Sequence, residues 1–203
     1  MEHIFNQITV RGQLVELPEF SHENHGKRFY RFYLDIPRLS GNSDCLPVVV
    51  EERILDTIDL SGGSMLTVTG QIRSHNTRTG GSRHLLIFIF AFSITAEDAE
   101  PCNNVIIEGP LCKEPIYRRT PLGREICDAM LAVQRTFRRA DYLPCIFWGR
   151  TADEIALCHT GDRIRIEGRL QSRTYIKRTE DGQQERVAYE ISALTAQILE
   201  QDT

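Results

Sequence analysis

Asn6-Gln7-Ile8-Thr9-Val10-Arg11-Gly12-Gln13-Leu14 returns 97 positions later as Asn103-Asn104-Val105-Ile106-Ile107-Glu108-Gly109-Pro110-Leu111. The same offset maps Pro18 onto Pro115, Gly26 onto Gly123, Leu34 onto Leu131 and Arg38 onto Arg135. It continues through Asp44-Cys45-Leu46-Pro47 onto Asp141-Tyr142-Leu143-Pro144, and through Arg53, Asp56 and Ile58 onto Arg150, Asp153 and Ile155. One inserted residue then makes the offset 98, and Gly63, Gly70 and Ser74 fall on Gly161, Gly168 and Ser172. So many Gly, Pro and apolar matches at one spacing mark an internal duplication. The expected domains are residues 1–98 and 103–200, joined near Glu97 to Cys102.

Each copy reads as mostly strand. Ile8, Val10, Gly12 and Leu14 alternate with polar neighbours, as do Val105, Ile107, Gly109 and Leu111, the pattern of half-buried strands. Further strand-like runs occur at Phe32 to Ile36, Val48 to Val50, Leu66 to Ile72, Met130 to Val133, Cys145 to Trp148 and Ile164 to Leu170. Gly80-Gly81 and Asp181-Gly182 each divide two such runs and predict hairpin turns. One short helix per copy is expected after the third strand. In the second copy Thr151-Ala152-Asp153-Glu154 has the form of a capping box, with Gly161 as a left-handed stop. Five strands with a helix between the third and fourth give an all-β chain of two tandem OB-folds. Periodicity alone also permits an open sheet or a small sandwich.

Composition narrows the classes. The 203 residues are 41% apolar and 26% charged, which excludes wholesale disorder. The longest apolar runs, such as Leu85 to Phe92, are far shorter than the ~20 residues a membrane-spanning helix needs. Met1-Glu2-His3 opens no basic-then-apolar leader, so a cytoplasmic location is expected. Cys45, Cys102, Cys112, Cys127, Cys145 and Cys158 contain no C-x-x-C pair, so no zinc site and reduced, scattered thiols are expected. His22 and His25 sit in a polar stretch that reads as a solvated loop rather than a metal site. No G-x-S-x-G, Walker or H-E-x-x-H signature occurs, so neither an enzyme nor a cofactor is expected. The net charge of −4 hides an asymmetry: residues 1–100 carry 9 Lys and Arg against 13 acids, and residues 101–203 carry 15 against 15.

The second copy resembles the bacterial single-stranded DNA-binding proteins. The stretches that carry this are Asn103 to Gly109, Glu114-Pro115, Thr120 to Gly123, Phe147-Trp148-Gly149-Arg150 with Ala152 to Ala156, and Gly161 to Tyr175. The resemblance implies base stacking on Phe137, Tyr142, Trp148 and Tyr175. Sequence-independent binding needs such rings, because every base has a π face, beside cations for phosphate. Cations lie in the same segments: Arg118, Arg119 and Arg124; Arg135, Arg138 and Arg139; Arg150; and Arg169, Arg173, Lys177 and Arg178. Arginine suits the task because its rigid fork matches phosphate and also stacks. Phe147 and Trp148 are strand neighbours and must face opposite ways, with Trp148 expected outward.

The offsets place Ser40, Cys45, Glu51 and Thr77 where the second copy has Phe137, Tyr142, Trp148 and Tyr175. The first copy is therefore expected to have a degenerate binding face and a structural or partner role. The resemblance further implies a homodimer presenting four OB-folds, with single-stranded DNA as partner and no membrane. The family's acidic tip is not matched at Glu200 to Thr203, so recruitment of enzymes through such a tip is not expected. A primosome-type tandem-OB adaptor and an RNA-binding OB protein are the alternative readings.

Overall fold

The computed structural model describes residues 5–79, 82–135, 139–179 and 182–200. The first copy contains β1 (Asn6–Leu14), β2 (Glu19–Asn24), β3 (Lys27–Pro37), β4 (Ser43–Glu51), α1 (Glu52–Leu55), β5 (Met65–Thr79) and β6 (Ser82–Ala96). The second contains β7 (Cys102–Pro110), β8 (Ile116–Arg119), β9 (Glu125–Gln134), β10 (Ala140–Trp148), α2 (Arg150–Ile155), β11 (Arg163–Thr179) and β12 (Gly182–Leu199). In the first copy the strands run β3-β4-β6-β5-β1, and β1 returns to β3 through Gln13↔Asp35 and Leu14↔Leu34. The second runs β9-β10-β12-β11-β7 and closes through the Leu111↔Leu131 bridge. β4 pairs with β6, and β10 with β12, in parallel; the remaining pairings are antiparallel. Each copy is thus a closed OB-fold barrel.

Alternation along the strands fills each barrel. Val10, Leu34, Leu46, Val48, Leu66 and Ile89 line the first interior, and Ile107, Leu131, Leu143, Phe147, Ile164 and Leu170 the second, all essentially inaccessible. Burying each such side chain contributes about 1.5–3 kcal/mol. The repeated glycines are closure points. A Cβ on Gly12 would collide with the Asp35 carbonyl oxygen, and one on Gly109 with that of Ala132, where the first strand crosses the second. Gly70 and Gly168 sit at β-bulges against the carbonyls of Phe90 and Ser192. The repeated asparagines tie the first strand to the fourth. Asn6 exchanges hydrogen bonds with the backbone of Ile72 at 2.8 and 2.9 Å, and Asn103 with that of Leu170 at 2.7 and 3.0 Å.

Three details differ from the sequence reading. Each copy carries an extra short strand, β2 or β8, on the outside of its second long strand. His22 lies in β2 with its ring stacked on Phe29 at 4.8 Å, and His25 (φ 49°) and Gly26 (φ 71°) form the two-residue turn into β3. The capping box does not form. Gly149 occupies the N-cap with no side-chain bond, Thr151 is already helical, and Glu154 pairs with Arg150 at 3.0 Å. The helix starts earlier because Gly149 adopts a positive φ of 54° that breaks the strand after Trp148. The hairpin turns were expected at 80–81 and 181–182. They fall largely outside the described residues, between strands paired as far as Thr79↔Ser82 and Thr179↔Gly182.

The two barrels are joined by their first strands. β1 pairs antiparallel with β7 from Asn6↔Ile107 to Arg11↔Cys102, so the twelve strands among the described residues form one sheet. A reciprocal pair of buried carboxylates locks the junction. Asp44 takes a bidentate fork from Arg38 and accepts the Ser172 backbone N–H at 2.6 Å, while Arg38 donates to the Ser172 carbonyl at 2.8 Å. Asp141 takes the fork of Arg135 and accepts the Ser74 backbone N–H at 2.5 Å. It also holds Arg73 at 3.2 Å. Each copy's acid therefore grips the other copy's fourth strand. Such pairs specify geometry more than they stabilise, because desolvation offsets much of their attraction.

Candidate nucleic-acid interface

Strand register decides which predicted residues meet. On β10, Leu143, Cys145 and Phe147 point into the barrel, so Tyr142 and Trp148 point out. Trp148 is 39% and Tyr142 42% exposed while Phe147 is fully buried, which leaves both outer rings able to accept a flat ligand. The Trp148 indole N–H donates to the Ser192 hydroxyl at 3.1 Å and fixes the ring beside β12. Ser192 pairs with Arg169, Glu190 with Gln171, Ala188 with Arg173, and Arg186 with Tyr175. Directly paired residues share a face, so Trp148, Arg169, Arg173 and Tyr175 lie on one outer surface. Arg173 stands over the Tyr175 ring at 5.9 Å. Ile126 joins Trp148 to Arg118 in the next row, which adds Arg118 to the same surface.

The remaining predicted residues separate. Alternation puts Arg119 on the other side of the β8–β9 ribbon, where it pairs with Glu125 at 2.6 Å. Arg124 lies exposed in the Thr120–Arg124 turn, and Arg150 is exposed at the start of α2 with Glu154. Arg135 is held in the junction by Asp141. Arg139 reaches over the first copy, lining a cleft with Phe88 and Phe90. Phe137 and Arg138, and the side chains of Lys177 and Arg178, lie outside the described residues.

The outer surface also holds acids that sequence reading missed. Asp128 accepts from Arg118 at 2.5 and 3.2 Å, and Glu190 accepts from Gln171 at 2.8 Å with Arg173 at 3.7 Å. The bond to Asp128 raises the pKa of Arg118 above its ordinary value. Both acids belong to rows that only the register reveals. They hold arginine forks in place and partly neutralise them. Arg169 is half-buried beside a cleft of about 480 Å³, and among the described residues its Nε has no partner.

The first copy's equivalent face carries rings at other positions. Matched by pairing partner, Phe29 stands where the second copy has Ile126, Phe88 where it has Glu190, and Phe90 where it has Ser192. Glu51, at the Trp148 position, is paired with Lys27 at 3.1 Å and Arg53 at 2.9 Å. Burial, together with neighbouring Arg135, pushes the pKa of Arg73 down. Among the described residues no group of His, Cys, Asp and Glu is placed to hold a metal, and no helix is long and apolar enough to cross a membrane. The cysteines are unpaired, and burial raises the pKa of the Cys127 thiol to about 11.

The chain is a tandem OB-fold whose second barrel carries accessible rings and arginines on one outer face. The family model of the single-strand binding protein family matches residues 102–199. Single-stranded DNA-binding protein A of Bacillus subtilis is 38% identical over 106 residues, 48% of this chain and 59% of that protein. Single-stranded DNA-binding protein B of the same organism is 38% identical over 80 residues, 36% of this chain and 71% of that protein. The chain thus spans little more than half of the first relative and about seven-tenths of the second. The single-stranded DNA binding protein from Thermus aquaticus superposes with a TM-score of 0.79 at 20% identity, covering 98% of this chain and 94% of that one, a likeness of fold. The chain belongs to the single-strand binding protein family.

Proposed function

We propose that the chain binds and coats single-stranded DNA without strong sequence preference, through stacking on aromatics and arginine contacts to phosphate. The observation that supports this reading is the outer face on which Tyr142, Trp148 and Tyr175 stand with Arg118, Arg169 and Arg173. Each stacked base contributes about 1–3 kcal/mol, so three rings suffice for firm binding with little sequence discrimination. Phosphates would draw Arg118 and Arg173 from Asp128 and Glu190, exchanging one charged partner for another. Binding would release counterions and weaken with salt. In this reading residues 103–200 form the principal binding domain and Phe137 adds a further ring. Arg119, Arg124, Arg138, Arg139, Arg150, Lys177 and Arg178 supply peripheral positive charge.

The proposed setting is replication, recombination and repair in the bacterial cytoplasm, at the nucleoid, by a non-enzymatic homodimer that presents four OB-folds. The test is anisotropy of a labelled dT oligomer with wild-type protein and Trp148→Ala, with poly-U as competitor. The reading predicts salt-sensitive binding that the substitution weakens and poly-U displaces poorly. Unchanged binding by Trp148→Ala would reject the stacking assignment, and preferential displacement by poly-U would reassign the protein to RNA.

A further inference from the structure

The first copy's outer face is not blank. A cleft of about 440 Å³ is lined by the apolar Phe88, Phe90 and Val49 together with Arg73, Arg135, Arg139, His22 and His25. No acid lines it. Asp141 is shared by Arg73 and Arg135, so one carboxylate balances two guanidinium groups, while Arg139 has no acidic partner among the described residues. The rings cluster: Phe29 stacks on His22 at 4.8 Å and meets Phe90 at 5.9 Å, tilted by 42°, and Arg73 stands over Phe90 at 5.9 Å. A second cleft of about 500 Å³ continues the trough past Tyr33, Arg31, His75 and Tyr189 and shares His22, Val49, Phe88 and Arg135 with the first.

We propose that this trough is a second binding site for single-stranded nucleic acid, in which Phe88 and Phe90 stack bases and Arg73, Arg139 and the His22 imidazole meet phosphate. The chemistry is that of aromatic platforms beside cations, the combination that binds strands through their bases and backbone at once. The second copy contributes Arg135 and Arg139 to the lining. The Tyr142 backbone N–H bonds the Ser74 hydroxyl at 2.8 Å, immediately beside Arg73. Ser74 also lines the second cleft, so the Tyr142 backbone adjoins the trough. The ring positions differ from those of the second copy, where the equivalents of Phe88 and Phe90 are Glu190 and Ser192. The inference rests on the proposed nucleic-acid function and extends it to the first copy.

The test is a copy-swap variant, Phe88→Glu with Phe90→Ser, which installs the second copy's residues in the first. Binding is measured with dT oligomers of about 8 and about 25 nucleotides, short enough for one barrel and long enough for two. The site predicts that the variant loses roughly tenfold or more of its affinity for the longer oligomer and keeps its affinity for the shorter. Equal affinity of variant and wild type for the longer oligomer overturns it. Should the variant melt early, wild-type protein photocrosslinked to iodinated dT decides. Adducts at Phe88, Phe90 or His22 support the site, and adducts confined to residues 103–199 overturn it. Failure of the wild-type protein to bind dT at all removes the function as a whole, whereas failure here alone leaves the second copy's role standing.

Discussion

The two barrels match strand for strand, yet their outer faces carry rings at alternate positions. The second copy has Tyr142, Trp148 and Tyr175 where the first has Cys45, Glu51 and Thr77. The first has Phe29, Phe88 and Phe90 where the second has Ile126, Glu190 and Ser192. Among the positions the duplication kept identical are those that close the barrels or join them: Asn6 and Asn103, Gly12 and Gly109, Gly70 and Gly168, Asp44 and Asp141. Such positions have no slack, since a methyl group at either closure glycine meets backbone. Outward positions tolerate change because the core does not depend on them, and there the copies diverged in charge and ring placement.

Four measurements can break or sharpen this comparison. Removing Asp141 strands Arg73 and Arg135 in the junction, so Asp141→Ala should cost about 3–5 kcal/mol in urea unfolding. Asp44→Ala strands Arg38 alone and should fall at or below the lower end of that range; equal losses would show that Arg73 adds nothing. Next in size, Gly12→Ala and Gly109→Ala should each lower stability by about 1–3 kcal/mol in thermal melts, equally, because both meet a carbonyl at the same crossing. Of similar size but read in affinity, Trp148→Ala should weaken dT binding by about 1–3 kcal/mol, whereas Glu51→Ala at the matched position should leave it unweakened. The smallest effect belongs to Arg150→Ala, which removes an exposed pair with Glu154 and should change stability by less than about 0.5 kcal/mol. A large loss there would mean α2 is held through that pair rather than through buried Ala152 and Ile155.

The fold was legible because closure and duplication write themselves into single positions. Glycines recurring at a fixed spacing mark crossings, and alternation marks inward faces. The opposite facing of Phe147 and Trp148 follows from the strand period alone. The sequence could not show which outward residues become neighbours. Asp44 and Ser172 are far apart in the chain and meet only through the β1–β7 pairing. Arg135 looked like a phosphate contact among its neighbouring arginines, and the same pairing turns it onto Asp141. Phe88 and Phe90 were hidden in the apolar run from Leu85 to Phe92, where the parallel register Val48↔Ile89 decides which rings face out. The missing capping box has a local cause, the positive φ of Gly149 that starts the helix before Thr151.

Trp148 is the chain's one tryptophan, so its emission reports on the second copy's outer face without labelling. In a titration with poly-dT at low salt, emission should fall to a saturating plateau and recover as salt is raised, because stacking quenches the indole and phosphate binding releases counterions. Emission unchanged at low salt by saturating poly-dT would contradict the assignment of this face to single-stranded DNA.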